Sequence, residues 1–388
     1  MDTDSRGRLD CTDILSFEMH LNAVRFLVGL AESGFYPGMQ YVIGSWYRGD
    51  ELAKRSCIFH CAGAIATMYS GYLMAVVYHL GGHGGLRGWQ WLFIVDGVIS
   101  LPIAISGYFL LPDFPENTRA FYFTAEERAL GRKRMELEGR KPRAPYTSAK
   151  VKRIFSSWHI YLMALMYITF NNNAGSIPTF GESLLDTLRG QYLKASKEPK
   201  YAIWQINVYP TATYGVQVIT TLAYAWTSDS VFRQQRWPAI IIGGIVNIIC
   251  TVSLAVWDIP VGWKWACFIM MGAGFGLSGM IMAWAHEVCT KDNEERALVI
   301  ATMNEMAYVV QAWLPLIVWQ QVDAPRYHKG YITVTCLSLV MILTALLVRQ
   351  LHNRERKQDA LAHELEHSDS EGSSPPVEIG VEVDSGKK

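Results

Sequence analysis

The sequence predicts an all-α polytopic membrane protein, and three observations carry the prediction. Half of the 388 residues are apolar, only 18% are charged, and the chain holds 13 Trp and 19 Tyr. The charges leave long segments untouched instead of interleaving with the apolar residues. Those segments reach the length of about 20 apolar residues that a helix needs to cross a bilayer. Third, a polar and strongly basic stretch, Pro112–Ser157, separates the apolar blocks, as a loop on the cytoplasmic side of a membrane protein does.

Residues 1–20 are polar (Asp2, Asp4, Arg6, Arg8, Asp10) and show no apolar core, so no cleavable signal peptide is read there. The block 21–111 holds three runs, at 21–46, 57–79 and 89–111. The first is weakened by Arg25 and Glu32 and loosened at Pro37. The glycines of Gly81-Gly82-His83-Gly84-Gly85 forbid a stable helix and mark the turn before the third run. Trp89 and Trp91 open that run as interfacial aromatics. Within the basic loop 112–157, Thr124 followed by Glu127 reads as a capping box that starts a helix. The block 158–351 holds six runs, near 158–180, 203–226, 237–257, 263–287, 297–321 and 331–351, which makes nine spans in all. The tail 352–388 becomes rich in Ser, Glu, Asp and Pro and is expected to be disordered and cytoplasmic.

Placing the basic loop in the cytoplasm also places there Arg48, Lys54 and Arg55, the Arg233 and Arg236 pair, Lys291 and Arg296, and the C-terminus. Net charge is zero and gives no indication of nucleic acid. The seven cysteines are odd in number and scattered mostly through apolar runs, so they read as buried free thiols. No metal cluster, cofactor loop or catalytic triad is read. Gly272, Gly274 and Gly276 lie in an unbroken apolar run, which suits close helix packing and not a phosphate loop.

Several intramembrane polar groups are candidate site residues. Arg25 and Glu32 are two helical turns apart, about 20° from one another on one face. Such a pair is either an anion-attracting Arg with a protonatable Glu lining a path, or a structural pair fixing helix packing. Asn171, Asn172 and Asn173 interrupt an apolar run, so a helix broken at 171–175 would offer amides and backbone groups to a substrate carboxylate or hydroxyl. The alternative is that they hydrogen-bond between helices. Asn304, Tyr308 and Gln311 fall within about 60° on one helix face, and Gln205 adds a polar group on an earlier run. His60 is read as a packing histidine in preference to a proton relay.

Taken together, Arg25-Phe-Leu-Val-Gly29 with Glu32 and Pro37, Gly88-Trp-Gln-Trp-Leu-Phe-Ile94 and Leu111-Pro-Asp-Phe-Pro-Glu116 resemble the fungal allantoate-permease (anion:cation symporter) family of the major facilitator superfamily. Thr227-Ser-Asp229, Trp284-Ala-His-Glu287, Met303-Asn304 and Asp323-Ala-Pro-Arg-Tyr327 resemble its pantothenate-transporter branch. The resemblance covers about 23–349. It implies a twelve-span fold of which this chain lacks the first three spans, and a cofactor-free secondary carrier that takes up a small organic anion, pantothenate-like or another carboxylate, together with protons. Two bundles would rock about a site at mid-membrane. Asp229 with Arg233 and Arg236 would form the gate on the cytoplasmic side. A plasma-membrane location follows from the same resemblance. A non-transporting relative that serves as sensor or partner, or an exporter of a secondary metabolite, is the alternative.

Overall fold

The computed structural model describes residues 11–137, 145, 147–173, 211–232, 235–290, 292–323 and 326–372. Among them every regular element is helical. The α-helices are α1 (Cys11–Glu32), α2 (Phe35–Trp46), α3 (Gly49–Val77), α4 (Gly88–Leu110), α5 (Ala125–Leu137), α6 (Ser148–Ser156) and α7 (Trp158–Asn171). They continue with α8 (Thr211–Ser230), α9 (Trp237–Val256), α10 (Val261–Met270), α11 (Gly272–Phe275), α12 (Ser278–Val288), α13 (Asn293–Val318) and α14 (His328–Gly372).

Six stretches among the described residues are long and apolar enough to cross a membrane: Gly49–Met74, Gln90–Leu110, Trp237–Val256, Val261–Val288, Asn293–Val318 and His328–Gln358. The run at 21–46 is divided at Ser33 and Gly34 into α1 and α2. The run at 158–180 is helical to Asn171, and the remainder from 174, with 203–210 of the next run, lies outside the described residues.

Two extensive helix contacts are α3 with α8 and α7 with α13, so the first block is joined to the second chiefly through α3. Glycine permits the tightest of these approaches. A Cβ on Gly272 would stand 2.2 Å from the Thr213 carbonyl oxygen, and one on Gly276 would stand 2.8 Å from Thr221 Oγ1. The spacing read as a packing motif therefore seats α10 and α11 directly on α8. Gly279 plays the same part against α3, where its Cβ would meet Cys57 Cα at 2.9 Å. By contrast α4 exposes Phe93, Val98, Leu101, Ile103 and Phe109, the apolar exterior expected of a helix that faces lipid.

In the loop after α4, the capping box at the start of α5 forms as the sequence suggests. Glu127 N–H donates to Thr124 Oγ1 at 3.2 Å, and Thr124 N–H donates to Glu127 Oε2 at 2.9 Å. These bonds hold the Glu127 carboxyl below its usual range.

Clustering of contacts separates Met1–Ala345 from Leu346–Lys388. In the second unit the last helix continues to Gly372, whereas disorder is expected from 352. Residues 354–366 are almost all Arg, Glu, Lys, Gln, Ala and Leu, whose side chains carry no branch at Cβ and so lose little freedom in a helix.

Candidate functional site

Helix α7 stops where three amides follow one another. Asn172 caps it with φ −94° and ψ 7°, and its N–H reaches the Ile168 carbonyl oxygen. All three asparagines are buried. Asn171 Nδ2 donates to Gln311 Oε1 at 2.9 Å, and Asn172 Nδ2 donates to the Ala307 carbonyl oxygen at 3.3 Å. Asn173 takes another direction. Its Oδ1 accepts from Ser338 Oγ at 3.2 Å, and Ser338 Oγ accepts from Asn247 Nδ2 at 2.9 Å. Adjacent amides on a helix end point apart, so one joins α13 and the other joins α14 and α9.

Asn304 is 3% exposed and sits two turns before Gln311 on α13, about 10 Å along the axis. The oxygens Asn304 Oδ1 and Asn172 Oδ1 are buried without a hydrogen-bond partner among the described residues. A buried, unpaired amide oxygen costs about 1–3 kcal/mol, so such atoms are apt to be satisfied by a ligand or by water. Space beside Asn172 is scarce: the cavity it lines with Gln311, Pro315 and Trp319 holds about 10 Å³, no more than one water. Tyr308 lies at the edge of this face and is 50% exposed, while Glu305 is exposed and accepts from Asn304 Nδ2 at 3.4 Å.

A second polar group bridges the two blocks and was not among the residues singled out in the sequence. Tyr36 Oη on α2 and Tyr167 Oη on α7 lie 2.8 and 3.0 Å from Ser278 Oγ on α12. Gln40 donates to Tyr36 Oη at 3.3 Å and accepts from Ser56 Oγ at 2.7 Å. The available signal was the spacing of Tyr36 and Gln40, four residues apart and thus on one helix face. His60 Nε2 lies 3.2 Å from the Phe275 carbonyl oxygen and 3.3 Å from Gln217 Nε2, so it too spans the joint between α3 and the second block.

The third group closes the end of the bundle that bears the basic loop. Arg236 is 1% exposed at the start of α9. Its guanidinium pairs with Asp229, donates to Glu287 Oε1 at 2.6 and 2.9 Å, to Ser228 Oγ at 2.8 Å and to the Gly49 carbonyl oxygen at 3.0 Å. One side chain thereby ties α8, α9 and α12 to the start of α3. Beside it, Asp292 caps α13 by accepting from the N–H groups of Glu294 and Glu295. Lys150 Nζ lies 3.0 Å from Asp292 and 2.5 Å from Glu294, and Arg153 also pairs with Asp292. Arg296 is 2% exposed, donates to Asn293 Oδ1 at 3.1 Å and stacks over Tyr41 at 5.1 Å.

Burial pushes the Asp292 carboxyl upward, but Lys150 and the helix N–H groups outweigh it and hold the group at about 2. Stability from this carboxylate is therefore present above its ordinary value near 3.8 and is lost as pH falls from about 4 to about 2. Asp292→Asn keeps the cap and removes the charge. It is expected to flatten the acid limb of thermal stability in that window, a difference of about 2 kcal/mol. An unchanged acid limb in the variant would show that Asp292 is not the group titrating.

The remaining candidates are placed less closely. Arg25 and Glu32 lie on α1, both exposed, in company with the exposed Phe26, Leu27 and Leu30. Gln205 and Arg233 fall outside the described residues.

Long apolar helices joined by buried amide and ion-pair clusters define an integral membrane protein of the polytopic helical class. The chain belongs to the Major Facilitator Superfamily, whose family model matches residues 15–315. It is 33% identical to the pantothenate transporter liz1 of Schizosaccharomyces pombe, over 89% of this chain and 66% of that protein. It is 35% identical to the MFS transporter PfmaC of Pestalotiopsis fici, over 89% of this chain and 63% of that protein. The chain thus spans about two thirds of the length of these relatives. Among solved structures it is similar to the proton:xylose symporter XylE bound to 6-bromo-6-deoxy-D-glucose, with a TM-score of 0.58 at 14% identity, over 80% of this chain and 66% of that one.

Proposed function

We propose that the protein is a secondary active carrier of a small organic anion, pantothenate-like or a related carboxylate, driven by proton symport across the plasma membrane with its C-terminus in the cytoplasm. The observation that carries the reading is the buried amide cluster at the broken end of α7, in a chain similar to a pantothenate transporter. The amide groups of Asn171, Asn172, Gln311 and Asn304 supply donors for a carboxylate and acceptors for hydroxyl or amide groups. Tyr308 borders that site, and Gln205, which lies outside the described residues, is assigned to substrate binding from the sequence alone. Arg25 attracts the anion and Glu32 carries the proton. Asp229, Arg233 and Arg236 close the cytoplasmic mouth while the site faces outward, and the buried pairing of Arg236 with both Asp229 and Glu287 supports that reading.

The site must open around Asn172 and Gln311 for substrate to enter there, since the cavity of about 10 Å³ between them admits no organic acid. Rocking of the two blocks about the Tyr36–Ser278–Tyr167 joint would provide the opening. Uptake of radiolabelled pantothenate, in competition with a panel of organic acids, tests the reading in yeast cells expressing residues 1–388. Asn304→Ala is expected to raise KM about tenfold or more, because a hydrogen bond to a charged group contributes about 1.5–3 kcal/mol. Glu32→Gln is expected to abolish accumulation driven by a pH gradient and to leave counterflow intact. Absence of uptake of any acid, with the protein at the plasma membrane, would favour a non-transporting role.

A further inference from the structure

Among the described residues, the amide site, the tyrosine joint and the ion-pair gate leave unaccounted for a cluster of metal-ligating side chains. His159 stands one residue inside the start of α7, Cys289 caps the end of α12, and Glu295 lies in the first turn of α13. One donor atom from each, an imidazole nitrogen, the thiol sulfur and a carboxylate oxygen, all lie within 4.8 Å of one another. His159 Nδ1 and Glu295 Oε1 are already in contact at 2.6 Å. We propose that these three side chains form a binding site for a borderline-soft divalent metal ion of the zinc class, which ties α7, α12 and α13 together at the end of the bundle.

Three arguments support the assignment. The donor set is mixed nitrogen, sulfur and oxygen, which suits Zn²⁺ and disfavours Mg²⁺ and Ca²⁺, whose ligands are oxygen. Ligands held about 2.0–2.3 Å from a tetrahedral Zn²⁺ lie about 3.3–3.8 Å from each other, so small rotamer changes close this cluster around an ion. The sulfur is buried, with Cys289 2% exposed, while the His159 and Glu295 side chains are 14% and 13% exposed. The ion would thus sit at the protein surface with its fourth position reachable by water, the arrangement of an open site and not of a closed structural one.

The backbone fixes two of the ligands before any ion arrives. Ser157 caps α7 by accepting from His159 N–H, and Trp158 packs edge-on against the His159 ring with centroids 4.4 Å apart. Asp292 caps α13 and so orients the turn that carries Glu295. Binding converts the Cys289 thiol to a thiolate and releases its proton to solvent, after which two negative ligands and one neutral imidazole face the dication.

The test uses the full chain purified in detergent and stripped with a chelator. Cd²⁺ serves as the probe, because its bond to a thiolate gives an ultraviolet charge-transfer band. Zn²⁺ competition then measures affinity for the lighter ion. We expect one band of one-ion stoichiometry that Zn²⁺ displaces and Mg²⁺ does not. Cys289→Ser should abolish it. His159→Gln and Glu295→Gln, which preserve size and hydrogen bonding, should each weaken Cd²⁺ at least about tenfold. Thermal unfolding of each stripped variant shows that the fold is kept, and Zn²⁺ should raise the unfolding temperature of the wild type alone. A band that persists in Cys289→Ser, as would arise at Cys250 and Cys267, overturns the assignment. So does a Zn²⁺ affinity that His159→Gln and Glu295→Gln leave unchanged. None of these readouts depends on transport.

Discussion

Arg236→Ala is expected to destabilise the protein by about 3–5 kcal/mol, the cost of leaving a buried charge without its partner. The Asp229 side chain is 3% exposed in its pair with Arg236, and Glu287 is 22% exposed, so solvent compensates little at the first and partly at the second. The same substitution removes the contact to Gly49 that reaches the start of α3. Two measurements follow. Thermal unfolding in detergent should show the loss, and adding Asp229→Asn should recover part of it by removing the orphaned charge. Alkylation of Cys57, which is fully buried two turns into α3, should rise in membranes because the basic end no longer stays closed. Wild-type Cys57 labelling in the Arg236→Ala protein would argue that the cluster holds structure locally without gating.

The second large effect is a methyl group. Gly272→Ala places a carbon 2.2 Å from the Thr213 carbonyl oxygen and 3.2 Å from the Gln217 nitrogen, both backbone atoms of α8 that cannot rotate away. Helix α10 and its continuation must shift off α8, at a cost near or above the upper end of the roughly 1–3 kcal/mol typical of overpacking. Gly262→Ala is the matched control. That glycine is helical and has nothing within 4 Å of its Cβ, so the substitution should leave stability unchanged or improve it by about 0.5–1 kcal/mol through lost chain entropy. Monodispersity and thermal stability should therefore fall in Gly272→Ala and not in Gly262→Ala. Equal behaviour would mean that the close approach of α10 to α8 is not a constraint on the fold.

Hydropathy and the basic loop made the helical membrane architecture legible, because a bilayer imposes one length and one polarity on every span. Where the signal was compromised, so was the reading. The division of the first run at Ser33 and Gly34 has no apolar signature, and the extension of the last helix to Gly372 is polar and so reads as tail by composition alone. The candidate site was legible wherever a polar residue stands out against apolar neighbours, as Asn171, Asn172 and Asn304 do. Tyr36, Tyr167 and Ser278 escaped notice because tyrosine and serine are ordinary in spans. Their meeting depends on three helices from distant parts of the chain. Arg236 stands out in the sequence as a candidate gate residue only through its resemblance to a family motif. Its bonds to Glu287 and Gly49 follow from tertiary packing and leave no mark in local sequence.

The chain of bonds from Asn173 through Ser338 to Asn247, extended by the contact of Thr251 with Thr335 at 2.9 Å, fastens three helices of the second block to one another across their buried faces. Polar contacts placed this way couple the three helices laterally, so that none can slide along another without breaking a buried hydrogen bond. Outside this group, a more slender seam is formed where α2 meets α12 and α13. There Gly44 lies so close to the His286 ring that a Cβ would stand 2.1 Å from it. A methyl group at residue 44 would have to push α2 off the His286 ring, so that seam tolerates no side-chain bulk.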